Sequence, residues 1–263
     1  MKIGILYIVT GRYICFWEDF YKTAKEFLFK NHEVHFFVIT DAENIYGEED
    51  NFVHKCKYEA LKWPYSVMKK FEALLSVKDK AILMDYVFYF NANMKFVAPV
   101  GDEILPKAEN GYLAICPWAN YLHKKPDEFP YDRCEKSLAY IPFGKGKYYF
   151  MGGFHGGCSK EYFDMCEELN SWASIDIDND VIPVCHDESY FNKFFLDKNP
   201  LIIPSNYCLP QNWKIKGVGA LIGVILKKAH YKYGGHAYLR GETDKKITPI
   251  KYFLNKFFNL NLK

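Results

Sequence analysis

Asp85-Tyr86-Val87-Phe88-Tyr89-Phe90-Asn91-Ala92-Asn93-Met94-Lys95-Phe96 is the stretch on which the fold turns. Large apolar residues followed by two asparagines one residue apart read as a buried strand leaving the core. Side chains alternate along a strand, so Asn91 and Asn93 fall on the same side of the chain. Upstream, residues 81–90 as a whole form a long apolar run interrupted by Asp85. Before it, Val67, Met68, Phe71, Leu74 and Leu75 recur at helical spacing, and residues 34–39, closed by Thr40 and Asp41, read as a strand. Phe16, Phe20, Phe27 and Leu28 mark a helix ending near Lys30, and residues 3–9 form a first buried strand. This β-α-β-α-β order predicts an α/β fold with a mainly parallel sheet and helices on both faces. Such sheets bind ligands beyond the carboxyl ends of their strands, which directs attention to residues 10–13, 40–42 and 91–93.

The second half is less regular. Residues 117–147 read as loop, broken by Pro117, Pro126, Pro130 and Pro142. A tyrosine-rich strand and a glycine cluster follow over 148–157, then an amphipathic helix over 162–169 and a second helix from about Asp187. From residue 226 the chain is basic and aromatic. With 34 basic and 32 acidic side chains, a net charge of +2 excludes the basic footprint of a general nucleic-acid binder. The eight cysteines, at 15, 56, 116, 134, 158, 166, 185 and 208, form no CxxC pair; reduced thiols and no zinc site are expected. No run approaches the roughly 20 apolar residues that span a bilayer. The first residues read as a strand rather than a signal peptide.

Asn-x-Asn at a strand end stands where many sugar-nucleotide transferases carry Asp-x-Asp to hold a metal against a diphosphate; alone, it equally marks a turn. The surrounding blocks carry more. Lys2-Ile3-Gly4, Thr10-Gly11-Arg12-Tyr13, Val34-His35-Phe36, Asp85-Tyr86-Val87, Asn91-Ala92-Asn93-Met94, Ala139-Tyr140-Ile141-Pro142, Tyr148-Tyr149, Gly152-Gly153-Phe154 and His186-Asp187-Glu188-Ser189 occur in collinear order. In this the chain resembles glycosyltransferase family 6, which includes the blood-group A and B transferases and the α-1,3-galactosyltransferases, and in particular its soluble bacterial members. The resemblance implies a GT-A fold forming one catalytic domain over 1–263. Residues 1–100 would bind the nucleotide, 101–230 the donor sugar and acceptor, and 231–263 would be a basic aromatic tail. Animal members carry an anchor and stem before the catalytic domain, where this chain is expected to start.

The resemblance also implies roles. Ile8, Val9 and Thr10 would form the uridine turn and Tyr13 would pack on the uracil. Lys70 would lie near the donor sugar and Lys228 at the diphosphate. Asp187 would hold donor hydroxyls, with Glu188 beneath the anomeric carbon as the catalytic carboxylate, either as nucleophile or as stabiliser of an oxocarbenium-like transition state. Read without the resemblance, Asp187 is a natural N-cap for the helix that follows. Met151, Gly152 and Gly153 would test the substituent at the donor's second carbon; Gly153 leaves room for an N-acetyl group, whereas Met151 resembles a galactose user. Trp118 and His155 are the candidate acceptor residues.

Two amides supply none of the anionic oxygen that Mg²⁺ and Mn²⁺ favour. No metal cofactor is expected, therefore, and amides and lysines would meet the diphosphate. The expected reaction is retaining transfer of GalNAc, or Gal, from its UDP donor in α-1,3 linkage to a galactose-containing acceptor of the Fucα1,2Gal type. The alternative is a sugar-nucleotide-binding homologue without catalysis. A bacterial cytoplasmic location is expected. The final run, Tyr252-Phe253-Leu254-Asn255-Lys256-Phe257-Phe258, offers a weak contact to the inner membrane surface, although packing as a terminal helix accounts for it as well.

Overall fold

A computed structural model describes residues 1–213 and 218–257; Phe258 and Lys263 of the tail lie outside the described residues. Strand β1 (Lys2–Ile8) distributes its side chains between two apolar clusters, with Ile3, Ile5 and Tyr7 on one side of the sheet and Leu6 on the other. Helix α1 (Trp17–Phe27) buries Trp17, Phe20, Tyr21 and Ala24, a single face at helical spacing, in the first cluster. Strand β2 (Glu33–Thr40) pairs parallel with β1. Strand β3 (Val53–Lys57) then adds the sheet edge, an element the sequence reading did not contain.

The single helix expected over 67–75 is instead two, α2 (Tyr65–Met68) and α3 (Lys70–Leu75), broken at Lys69, whose ψ of 23° leaves the helical region. A short helix, α4 (Lys78–Ala81), occupies what had read as the start of the long strand. Strand β4 (Tyr86–Phe90) is therefore only five residues, and Asp85 precedes it, accepting a hydrogen bond from Lys2 N. Strand β5 (Met94–Phe96) leaves the Asn-x-Asn segment for a separate small sheet. Strand β6 (Leu113–Pro117) and the long strand β7 (Phe150–Cys158) return to the main sheet, with irregular chain over 118–149 between them.

Helices α5 (Ser159–Asp178) and α6 (Asp187–Phe194) cover the face opposite α1, packing Tyr162, Leu169, Tyr190 and Phe191 with Phe71 and Leu74 in the second cluster. Each such side chain, fully removed from water, contributes about 1.5–3 kcal/mol. Strands β8 (Leu201–Ile202), β9 (Leu209–Pro210) and β10 (Gly223–Ile225) precede the short helix α7 (His236–Leu239) and the terminal α8 (Pro249–Phe257).

The main sheet runs β3-β2-β1-β4-β7-β6-β8 and the small one β5-β10-β9. Helices on both faces and a parallel β3-β2-β1-β4 half agree with the α/β expectation, whereas β7 is antiparallel to both of its neighbours. The glycines of β7 lie within the strand. A Cβ at Gly156 would stand 2.2 Å from the Phe88 ring and 2.6 Å from Val87 O, and one at Gly157 would stand 2.4 Å from Tyr112 O. Their absence of side chain is what lets β4 and the chain before β6 approach. Among the described residues no helix is long and apolar enough to cross a membrane.

Candidate active site

The carboxyl ends of β1 and β4, the amino end of β7 and the first turn of α6 meet at one edge of the sheet. Gly11, with φ of +56°, turns the chain sharply after β1, and its amide donates to Asp41 Oδ1 at 2.7 Å. Tyr13 follows and is half-buried. Ile8 and Thr10 flank this turn, both partly exposed, but Val9 is fully buried. Its amide donates to Ile39 O and its carbonyl accepts from Thr40 Oγ1. Val9 therefore fixes the turn from beneath instead of presenting its side chain to a ligand.

The centre of the site is a buried ion pair. Lys70 Nζ donates to Asp187 Oδ2 and, at 2.7 Å, to Gly152 O, and lies 4.7 Å above the Tyr89 ring. Burial alone would pull the Lys70 ammonium down, but the Asp187 carboxylate beside it reverses the sign, so Lys70 remains a cation. This pairing corrects the N-cap expectation. The cap of α6 is His186, at φ of +54° and with no side-chain capping bond, while the Asp187 carboxylate is drawn away to Lys70. Gly152 is required by the same pair: a Cβ there would stand 2.6 Å from Asp187 Oδ2 and 3.3 Å from Lys70 Nζ. Gly153 differs. Its Cβ would meet Asn91 Cβ at 3.6 Å and Met151 Sδ at 4.0 Å, ordinary contacts bordering an open position.

Glu188, one residue further along α6, accepts hydrogen bonds at Oε2 from Trp118 Nε1 and from Gly152 N, both at 2.9 Å. Burial pushes its carboxyl up to about 7, against the pull of the Gly152 amide. Both helix-start carboxylates benefit from the positive end of α6. A carboxylate poised to ionise near neutrality, beside a cation that is already neutralised, suits a nucleophile or an electrostatic stabiliser.

The two asparagines have different environments. Asn91 is partly exposed, its backbone amide donates to Gly153 O at 2.8 Å, and its side chain borders Gly153. Asn93 is buried; its Nδ2 donates to Leu226 O at 2.6 Å and its carbonyl accepts from Leu226 N at 2.7 Å. Its amide nitrogen is thus engaged by the protein, whereas Asn91 alone of the two keeps a partly exposed side chain. The Asn93 clamp fixes the strand that delivers Lys228, whose Nζ lies 5.2 Å over the Tyr13 ring. Burial, with Lys70 and Arg240 nearby, lowers the Lys228 ammonium to about 8. Among the described residues no three His, Cys, Asp or Glu side chains converge in a metal-binding group.

Of the two acceptor candidates, His155 is corrected. His155 is fully buried on the helix-covered face of β7, stacked on Tyr89 at 5.0 Å, with Tyr162 OH at 3.0 Å from Nδ1. It forms a pedestal under Tyr89 and Lys70 and does not line a cleft. Trp118 reaches the site, but its polar edge is spent on Glu188. Sequence reasoning missed Trp63, which packs on His186 at 5.5 Å, and Arg240, which lies 5.4 Å over Trp63 and acts electrostatically on Tyr13 and Lys228. Only the aromatic and basic character of their surroundings signalled them.

A family model described as Glycosyltransferase family 6 matches residues 1–230. The chain is 26% identical over 213 residues to the O-antigen biosynthesis glycosyltransferase WbnI of Escherichia coli, covering 81% of this chain and 90% of that protein. It is 26% identical over 209 residues to the globoside alpha-1,3-N-acetylgalactosaminyltransferase 1 of Gallus gallus, covering 76% and 59%. With the histo-blood group ABO system transferase 2 of Rattus norvegicus it shares 28% over 205 residues, covering 75% and 60%. The match therefore spans less than two thirds of these two animal proteins. On the match to the family model over most of its length, the chain belongs to glycosyltransferase family 6.

Proposed function

We propose that this chain is a retaining glycosyltransferase that moves GalNAc, or Gal, from its UDP donor in α-1,3 linkage to a galactose-containing, fucosylated acceptor, without a divalent metal. The observation that carries the reading is Glu188 held beside the Lys70–Asp187 pair under the glycines of β7. In this reading Asp187 and Lys70 orient the donor sugar, and the carboxylate of Glu188 faces the developing positive charge at C1. Glu188 acts there as nucleophile or as stabiliser during same-face attack. Asn91 and Lys228 meet the diphosphate, and Ile8, Thr10 and Tyr13 border the uridine. The relatives named for α-1,3-GalNAc and blood-group transfer support the linkage and donor class. Two neutral amides supply none of the anionic oxygen that Mg²⁺ or Mn²⁺ favours, which supports the metal-free form. In the same reading the enzyme works at the cytoplasmic side of a bacterial inner membrane. There α8, which exposes Ile250, Phe253 and Leu254, makes a weak surface contact.

A screen of UDP-GalNAc, UDP-Gal, UDP-Glc and UDP-GlcNAc against plain and fucosylated lactose, with and without excess EDTA, tests this. Transfer from UDP-GalNAc or UDP-Gal that persists in EDTA, with an α-anomeric proton in the product NMR spectrum, is the expected result. Turnover abolished by EDTA and restored by Mn²⁺ overturns the metal-free claim; a β-linked product overturns retention. Binding of a UDP-sugar without transfer or hydrolysis makes the chain a non-catalytic homologue.

A further inference from the structure

We propose that Trp118 is a positioning residue for Glu188 rather than a stacking face for the acceptor sugar, because its indole N–H and the Gly152 amide converge on a single carboxylate oxygen. The proposal rests on the transferase reading above. Two N–H donors at 2.9 Å on Oε2 fix both the plane and the rotation of the carboxylate, and leave Oε1 as the oxygen free of them. The donors are themselves rigid. Gly152 N belongs to β7, and the Trp118 amide donates to Tyr149 O at 2.8 Å while its ring packs against two apolar clusters. The indole thus has little rotational freedom and its N–H keeps one direction.

The surroundings explain why Glu188 needs such donors. The groups that act on it are Asp187, Cys185, Tyr149, Tyr121, Cys208 and Lys70. Lys70 is the only cation among these, and its ammonium is already committed to Asp187 and Gly152 O. The Tyr149 hydroxyl adjoins Glu188 and Cys185 but is buried without a hydrogen bond among the described residues. Ionisation of Glu188 in this pocket therefore draws on neutral dipoles: the Gly152 amide first, then the neighbouring Tyr149 hydroxyl, and the indole N–H of Trp118, which is held at hydrogen-bond distance. Hydrogen bonding to the charged form of a carboxyl favours that form. An oriented donor set also holds the reacting oxygen where C1 arrives.

The test separates this role from a sugar platform. Trp118→Phe keeps an aromatic face and removes the N–H. As a second variant, site-specific incorporation of β-(3-benzothienyl)alanine at 118 exchanges N–H for S in a ring of the same shape, which preserves the packing. Both are expected to lower transfer and acceptor-free hydrolysis of the donor by a common factor, on the order of 100-fold. The acidic limb of kcat should move to higher pH, with the acceptor KM and donor Kd near wild type. If hydrolysis keeps its rate while the acceptor KM rises, Trp118 is an acceptor platform and the proposal fails. An unmoved pH limb in the sulfur variant also overturns it. A wild-type enzyme inert towards every donor overturns the transferase reading instead.

Discussion

At Gly152 a single methyl group separates a working site from a broken one. The Cβ that alanine adds falls 2.6 Å from Asp187 Oδ2, so Gly152→Ala must part Asp187 from Lys70. Breaking a buried pair leaves charge uncompensated, and kcat/KM for transfer is expected to fall at least 100-fold. Gly153→Ala meets only ordinary contacts, beginning at Asn91 Cβ 3.6 Å away. Its melting temperature should match wild type while the ratio of kcat/KM for UDP-GalNAc over UDP-Gal drops. A Gly153→Ala enzyme with unaltered donor preference would remove this position from donor selection.

Titration belongs to the same scale. Glu188 has its carboxyl raised to about 7 by burial, and in the proposed reaction it works ionised, so activity should climb tenfold per unit below that pH. Lys228 has its ammonium lowered to about 8 by burial, and in the same proposal it works charged, so donor capture should weaken as pH rises through 8. A bell-shaped kcat/KM centred between the two values is expected, and Lys228→Arg should erase its alkaline limb. Asp187 and Glu188 were readable because the His186-Asp187-Glu188-Ser189 block resembles a known motif, and Lys70 only through its separate match to a basic residue of the same family. His155 was assigned the wrong partners because the side of β7 that a residue faces is set by strand pairing, which no local spacing reveals.

Among the elements, β4 shows what local pattern can tell: an apolar run closed by polar residues sits where such a run must, with Asn91 at its carboxyl end. Strand β3 was invisible because Val-His-Lys-Cys-Lys at a sheet edge has one buried residue and no apolar alternation to display. From sequence alone the glycine cluster fits a tight turn as well as close strand packing, and the structure shows the second. Its role is to admit Phe88 and the chain at Tyr112. Gly156→Ala, with backbone Val87 O only 2.6 Å from the new carbon, should cost about 1–3 kcal/mol. Equilibrium urea unfolding reads that cost directly; a stability equal to wild type would mean that β4 and β7 can part at no penalty.

Over the whole molecule, segments far apart in sequence meet beside the site. Arg12, just after β1, donates to the carbonyls of Tyr238 and Thr243 and pairs with Asp244, and the Arg12 guanidinium also covers the Tyr238 ring at 4.2 Å. The segment that carries Lys228 and Arg240 is thereby laid across the nucleotide half, an arrangement that links residues more than 220 positions apart. Composition showed that this tail is basic and aromatic; where it lands is set by long-range contacts. The Asn93–Leu226 clamp has its own consequence for the chemistry open to this protein. An acidic side chain in place of Asn93 would set carboxylate oxygen against the carbonyl oxygen of Leu226, two lone-pair surfaces with no proton between them at a buried position. An acid at position 93 would therefore trade a side-chain fastening of the chain at residue 226 for a repulsion, leaving the backbone pairing of β5 with β10 to hold the small sheet alone.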